Sequence, residues 1–376
     1  MAKSGVVVNL FRLAVPFIIG IMVGALACTY YLKQPQTTSK NENVILPLRV
    51  SVPPYVDTAM TVIGVQTGQF AARGIDVKLI DTTWENQYEL LVGGALDVSM
   101  STLDEFVNKN RNLRAAGKPI LYVLPAWQFR GLAFYSAGGI QSLSDIQKQL
   151  PLEQAKKKFL AQILKRKIVL PEGSVFEQAL RAFVSENKVD FNNLKIVNAS
   201  LDSALNSLGD KSVGLVAVGS QQRFEAERRG YHEAISPEDL GLDVITGFVV
   251  PENIWNTRKQ DIINFGCVWY EITRKATAQK KEAYEITNNY LVGRGSNSLT
   301  EQEYMSLRAY NVLPQTPREA ATLFFDSNGK AFWKKTWDRS VKSMTDADKS
   351  DQAPINASDF IAPQINNILE MQCNHG

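Results

Sequence analysis

One order of elements occurs twice in the chain, and no other feature constrains the fold as much. In the first copy "LRVSV" (48–52) reads as a strand and "PPYVD" (53–57) as a turn ending at a candidate cap, Asp57 or Thr58. Residues 59–73 place Val62, Ile63, Gln66 and Phe70 near helical spacing, and Gly74 suits the left-handed position that closes a helix. "IDVKLI" is the next strand. "NQYELLVGGALD" is a helix with Tyr88, Leu91, Val92 and Ala95 on one face, and "DVSM" is a third strand. "STLDEF" opens another helix, with Thr102 and Glu105 in a T-x-x-E capping box. From residue 165 the order returns: strand "KRKIVL", turn "PEGS", helix "VFEQALRAFVSENKV" with a Ser174–Glu177 capping box, strand "LKIVN", helix "SLDSALNSLGD", strand "VGLVAVG" and helix "SQQRFEAERRG". The copies are about 100 residues or more apart, too far for a solenoid. Helices between strands predict two α/β lobes, each with a mainly parallel sheet. At 376 residues, 45% hydrophobic and 21% charged, the chain can give each lobe a core.

Two extended passages bracket the second copy: "ILYVLPAWQFRGLAFYSAGG" (120–139) and "LDVITGFVVPENIW" (242–255). They predict a two-segment hinge, with the chain leaving lobe I near Phe134 and returning near Thr246. Lobe I is then 47–135 plus 246–376, and lobe II is 136–245. Loops at the carboxyl ends of parallel strands form a ligand crevice; here they are 53–58, 82–86, 99–102, 171–176, 198–202 and 218–222. Tyr55, Trp84 and Trp127 fall in such turns, where they would stack on a flat ligand or pack against the lobe edges. Ser101, Thr102, Ser174 and Ser220 suit hydrogen bonding to a ligand, with helix capping the competing role for Thr102 and Ser174. Arg130, near the hinge, offers a fork for an anion or a structural pair. Helix starts beyond the loops offer N–H groups to a carboxylate, sulfonate or nitrate, although Glu105 and Glu177 already occupy two first turns.

Much chemistry is excluded. A net charge of +3 without a basic cluster interleaved with aromatics gives no footing for nucleic acid; the run Lys156–Lys158 reads as a solvated helix face. The three cysteines, Cys28, Cys267 and Cys373, form no C-x-x-C, and their odd number predicts no framework of bridges. Only His232 and His375 are available, too far apart in sequence for a zinc site, so no metal is expected. His232, in "RRGYHEAI", reads as a surface turn. G-x-S-x-G, Walker A and G-x-G-x-x-G motifs are absent, and neither enzyme activity nor a cofactor is expected.

The amino-terminal "LAVPFIIGIMVGALACTYYL" (13–32), behind Lys3 and Arg12, is long enough to span a bilayer with an exported body. Segment 1–32 is either a permanent anchor with Tyr30 and Tyr31 at the interface, or a lipoprotein signal cleaved within "ALAC", with Cys28 lipidated. Both readings tether the body to a membrane. Residues 33–46 are a polar linker. The carboxyl-terminal part contains two more capping boxes, Thr300–Glu303 and Thr316–Glu319, the latter with Pro317 at the first helical position. "FFDSNGKAFWKKTWDRS" spaces aromatics for a helical layer on lobe I or a docking face for a membrane partner.

The segment "GQFAARGIDVKLIDTTWENQYELLVGGALDVSMST" resembles the first-lobe pattern of periplasmic substrate-binding proteins of nitrate/sulfonate/taurine-type ABC transporters, thiamine-precursor binders included. A helix closes on Phe; then come three residues, Gly, an Ile-Asp-Val strand, and Gly-x-x-Asp before a strand. "RKIVLPEGSVFEQALRAFV" and "LKIVNASLDSALNSLGDKSVGLVAV" resemble its second lobe. The resemblance implies the type II periplasmic-binding-protein fold, capture of a small polar ligand, and delivery to an ABC permease. Ligand contacts transfer by loop position to Tyr55, Trp84, Ser101, Ser174 and Ser220. "LVAVGSQQR" departs from the family where an acidic or aromatic residue often follows the second-lobe strand. A ligand-sensing or scaffold module on the same clamshell is the alternative, and a pyrimidine-synthase-type enzyme a more distant one.

Overall fold

The β-branched runs assemble into two sheets, and the chain passes between them twice. The computed structural model describes residues 46–236, 239, 243–347 and 357–373. Segment 1–32 with Cys28, the linker up to residue 45, and His375 lie outside the described residues. Among the described residues no helix is long and apolar enough to cross a membrane.

The first copy comprises β1 (Leu48–Val52), helices Met60–Gln66 and Gln69–Ala72, β2 (Val77–Asp81), helix Gln87–Val92, β3 (Ser99–Thr102) and helix Leu103–Ala115. The predicted helix over 59–73 is thus two short ones. Gly68, at φ 71°, breaks it in the left-handed region, and Gly74, at φ 70°, closes the second piece. Neither Asp57 nor Thr58 is the cap; Ala59 precedes the first helix, and the Thr58 hydroxyl donates instead to Pro53 O at 2.5 Å. β4 (Ile120–Phe129) leads to β5 (Ala133–Ser136) and helices Leu143–Gln147 and Leu152–Ile163. The second copy follows: β6 (Lys167–Leu170), helix Val175–Glu186, β7 (Lys195–Asn198), helix Leu201–Asn206, β8 (Val213–Val218), helix Ser220–Arg228 and β9 (His232–Ile235). β10 (Val244–Pro251), the long helix Glu252–Ala278, further helices and the short β11 (Asn311–Val312) complete the body.

The two sheets match in plan. β1 pairs in parallel with β2, and a parallel bridge from Val50 to Val98 ties β1 to the start of β3. β3 pairs with β10, β10 with β4 and β4 with β11, all antiparallel. In the second sheet β6 is parallel to β7 and β8, and β5 is antiparallel to β8 and β9. Each sheet therefore has three parallel strands from its own copy and receives an antiparallel strand from a crossing passage. The sheets are mixed rather than mainly parallel, because a chain entering from the other sheet runs against the βα units. Phe134, expected at the crossing, lies inside β5; the chain changes sheets at 130–132, between β4 and β5, and is back in the first sheet at β10. At β10 the approach to β4 is close: a Cβ on Gly247 would lie 2.1 Å from Leu124 O.

The first sheet shares one core with the carboxyl-terminal helices. Trp127 stacks on Trp269 at 5.5 Å, and Phe360 stacks on Trp333 at 4.3 Å while meeting Tyr122 at 5.3 Å. The second sheet has separate cores on its two faces. A disulfide, Cys267–Cys373, joins the long helix to helix Ala362–Gln372. This corrects the expectation of no bridges: an odd cysteine count does not prevent two of the three from meeting in space.

Three of the four capping boxes form at least in part. Thr300 and Glu303 make both reciprocal bonds. Thr102 Oγ1 accepts the Glu105 N–H at 3.2 Å, but the Glu105 carboxylate turns elsewhere. Thr316 accepts the Glu319 N–H, while the Glu319 carboxylate takes the Gln315 N–H. The Ser174 box does not form. The Ser174 hydroxyl donates to Pro171 O at 2.5 Å, and the Glu177 carboxylate accepts the Gly173 N–H at 2.7 Å.

Candidate functional site

The loops at the carboxyl ends of β1, β2, β6 and β8 converge on a cavity of about 150 Å³ between the two sheets. Tyr55, Trp84, Thr102, Ser174 and Ser220 line it. These are five of the eight candidates named from the sequence. Parallel strands end together, so their following turns meet at one edge.

The other three stand elsewhere. Ser101 is fully buried behind the wall, its hydroxyl bonded to Tyr88 Oη and donating to Thr102 O at 2.8 Å. Trp127 is not in a turn. It lies within β4, fully buried, between the Trp269 stack and the edge of Phe248. Arg130 holds the crossing passage: its N–H donates to Tyr310 O at 2.8 Å and its Nη2 to Gln128 Oε1 at 3.1 Å. His232 is on β9, with Nε2 3.0 Å from Ile140 O.

Several lining residues were missed. Asp57, Glu85, Glu105 and Glu172 bring four carboxylates to the cavity, and Lys109 brings an ammonium. Phe129 and Leu132 enter from the first crossing passage and Phe176 from the second sheet's side. Glu105 and Lys109 are one helical turn apart, a spacing that places both on one face. Asp57 and Glu105 were legible only as helix caps.

Trp84 and Glu105 form a fixed pair. The indole Nε1–H donates to both carboxylate oxygens, at 2.9 and 3.1 Å. Burial pushes the Glu105 carboxyl above its ordinary range, and Lys109 and the Trp84 N–H oppose that rise. Burial likewise pushes Asp57 up to about 6, opposed by its own backbone N–H, that of Thr58 and the Trp127 side chain behind the wall. Tyr55 meets Trp84 edge-on at 6.5 Å and 67°. Burial, then the charges of Glu85, Asp202, Asp57 and Glu105, drives its phenol well up, so it stays a neutral donor. Ser220 and Thr246, 5% and 2% exposed, line the cavity.

The two halves touch around the cavity. Gln178 Nε2 donates to Asp104 O at 3.4 Å, Arg228 pairs with Glu303, and the Arg223 guanidinium lies 4.7 Å over the Tyr310 ring.

No family model matches the chain, and no curated protein matches it. Solved structures do. The periplasmic aliphatic sulphonate-binding protein of Escherichia coli aligns at a TM-score of 0.59 and 11% identity, over 81% of this chain and 95% of that one. The periplasmic nitrate-binding protein of Synechocystis PCC 6803 aligns at 0.51 and 11%, over 88% and 99%. A conserved Candida albicans gene product, described as exhibiting the generic periplasmic-binding-protein fold, aligns at 0.60 and 10%, over 87% and 95%. With two matched sheets, two crossing passages and these likenesses, the chain has the periplasmic-binding-protein fold.

Proposed function

We propose that this chain is an extracytoplasmic solute-binding protein that captures a small polar ligand in the cavity between its lobes and delivers it to an ABC permease. The observation that carries the reading is the cavity itself: a wall of aromatic and charged side chains, with the hydroxyl residues Thr102, Ser174, Ser220 and Thr246 among them. The lobe built on the first sheet, 47–129 plus 244–376, and the lobe built on the second, 133–236, are hinged between β4 and β5 and between β9 and β10. A ligand touching both lobes binds the closed form better and shifts the population toward it. A shift from about 1:99 to 99:1 takes roughly 5.5 kcal/mol, within the roughly 8 kcal/mol of a micromolar binder.

The Cys267–Cys373 bridge supports an exported body, since such bonds persist in oxidising compartments. Segment 1–32 tethers that body, either as a spanning anchor or through lipidated Cys28. The sulphonate- and nitrate-binding neighbours support ligand capture as the shared use of the fold.

The test is a thermal-shift screen of nitrate, taurine, alkanesulfonates, formyl-aminopyrimidines and riboflavin, followed by small-angle scattering with any compound that raises the melting point. A true ligand raises stability by mass action, about 2.7 kcal/mol at a hundredfold excess over Kd, and reduces the radius of gyration. A stabilising compound that leaves the radius unchanged, and whose effect survives Ser220→Ala and Trp84→Ala, would overturn the interlobe site.

A further inference from the structure

The charges around the cavity select among ligand classes. Asp57 follows β1, Glu85 follows β2, Glu105 sits in the helix after β3, and Glu172 follows β6. Four separate segments thus bring carboxylates to one space. Lys109 is the single cationic side chain in the lining among the described residues, and its ammonium lies 4.3 Å over the Tyr88 ring. Binding a sulfonate or nitrate calls for guanidinium forks or open helix N–H groups. The lining has no arginine. The first turns of helices Leu103–Ala115 and Val175–Glu186 already hold Glu105 and Glu177.

Aromatic rings complete the picture. Tyr55 and Trp84 make an edge-to-face corner beside the carboxylates, and Phe129 and Phe176 face the same space. Rings together with carboxylates attract a cation with an apolar body, through the ring quadrupole and the opposite charge. Ser220 and Thr246, nine-tenths or more buried, line the same wall and can offer it hydrogen bonds.

We propose, building on the solute-binding reading, that the cleft takes an organic cation: a protonated amine or quaternary ammonium compound. Its charge lies between Asp57 and Glu105, its body lies against Tyr55 and Trp84, and its polar groups meet Ser220 and Thr246. The raised carboxyls of Asp57 and Glu105 fit this use. A cation beside them favours their ionised forms, so binding releases protons and strengthens as pH rises through about 6. Glu85 and Glu172 line the same space and act with them, Asp202 adds its charge near Tyr55, and Lys109 acts against them.

The experiment titrates purified full-length protein with five probes, read by tryptophan fluorescence and thermal shift: choline, its uncharged isostere 3,3-dimethylbutan-1-ol, nitrate, methanesulfonate and taurine. Choline is expected to bind at least about tenfold more tightly than the isostere, and less tightly at pH 5 than at pH 7. Asp57→Asn and Glu105→Gln, each checked for folding by circular dichroism, should each weaken choline between about tenfold and a hundredfold, the range for a charge-assisted contact. Equal binding of choline and its isostere, or choline binding untouched by both variants, overturns the cation assignment. Nitrate or methanesulfonate binding with choline silent also overturns it, and leaves the solute-binding reading standing. No response to any probe, with no small molecule retained in native mass spectrometry, counts against both.

Discussion

The bond between Cys267 and Cys373 gives the most quantitative test of the carboxyl-terminal architecture. The two residues are 106 apart in sequence, so the bridge closes a long loop in the unfolded chain. A loop of that length corresponds to about 4.7 kcal/mol of lost unfolded-state entropy. Unfolding releases about 2.1 cal/mol/K per residue, so a body of roughly 330 residues gains about 0.7 kcal/mol/K, and removing the bridge should lower the melting point by about 7 °C. The perturbation is Cys373→Ser, at a partly exposed position, which leaves Cys267 in its buried place. Helix Ala362–Gln372 should stay docked without the bond, because Ile365 and Leu369 are buried and Leu369 packs against Gly266 at the distance of a missing Cβ. Far-UV circular dichroism should therefore match wild type below the transition, with the loss appearing only in the melt. Non-reducing peptide mass spectrometry should find the Cys267 and Cys373 peptides linked, leaving Cys28 as the only candidate for a free or lipidated sulfur. Alkylated Cys267 in unreduced protein, or a melting point unchanged in Cys373→Ser, would refute the reasoning.

Four further outcomes are expected. Gly131 lies on the first crossing passage, where a Cβ would come within 2.6 Å of the Phe129 ring and 2.7 Å of Ser220 Cβ. Gly131→Ala should cost about 1–3 kcal/mol, and it should abolish the response to any ligand held by the cavity wall, measured by titration. Trp269→Ala removes the partner of Trp127 in a fully buried stack and should cost about 3–5 kcal/mol in urea unfolding. Thr300→Ala breaks a complete capping box and should cost about 1 kcal/mol. Burial raises the Asp57 carboxyl from 3.8 to about 6, so the folded state binds protons more tightly than the unfolded chain. Ligand-free stability should fall as pH rises between those values, by up to about 3 kcal/mol. Because other groups titrate there too, the measurement is the difference between wild type and Asp57→Asn.

The doubled order of strands and helices was readable because it is local: period-2 and helical spacing, caps and turn glycines lie within a few residues of one another. From that order the crevice follows by topology, which is why Tyr55, Trp84, Thr102, Ser174 and Ser220 could be placed on one wall from loop position alone. What failed depends on partners distant in sequence. Trp127 was placed in a turn because residues 127–130 lie between two apolar strand-like runs. β10 on one side and β11 on the other hold that stretch extended, and Gln128 Nε2 is satisfied by Asp243 at 2.7 Å. The disulfide joins two helices whose proximity only the packed core determines. The carboxylates at the cavity are the most instructive case. Asp57 was legible as a candidate cap and Glu105 as half of a capping box, and each reading gave the residue a local role that concealed a distant one. In the fold Glu105 leaves its box half made: Thr102 still accepts the Glu105 N–H, while the carboxylate turns to Trp84 and into the cavity. The sequence shows only the box; that the Glu105 carboxylate leaves the helix end for Trp84 on the cavity wall is decided by Trp84, 21 residues away, which the fold brings to it.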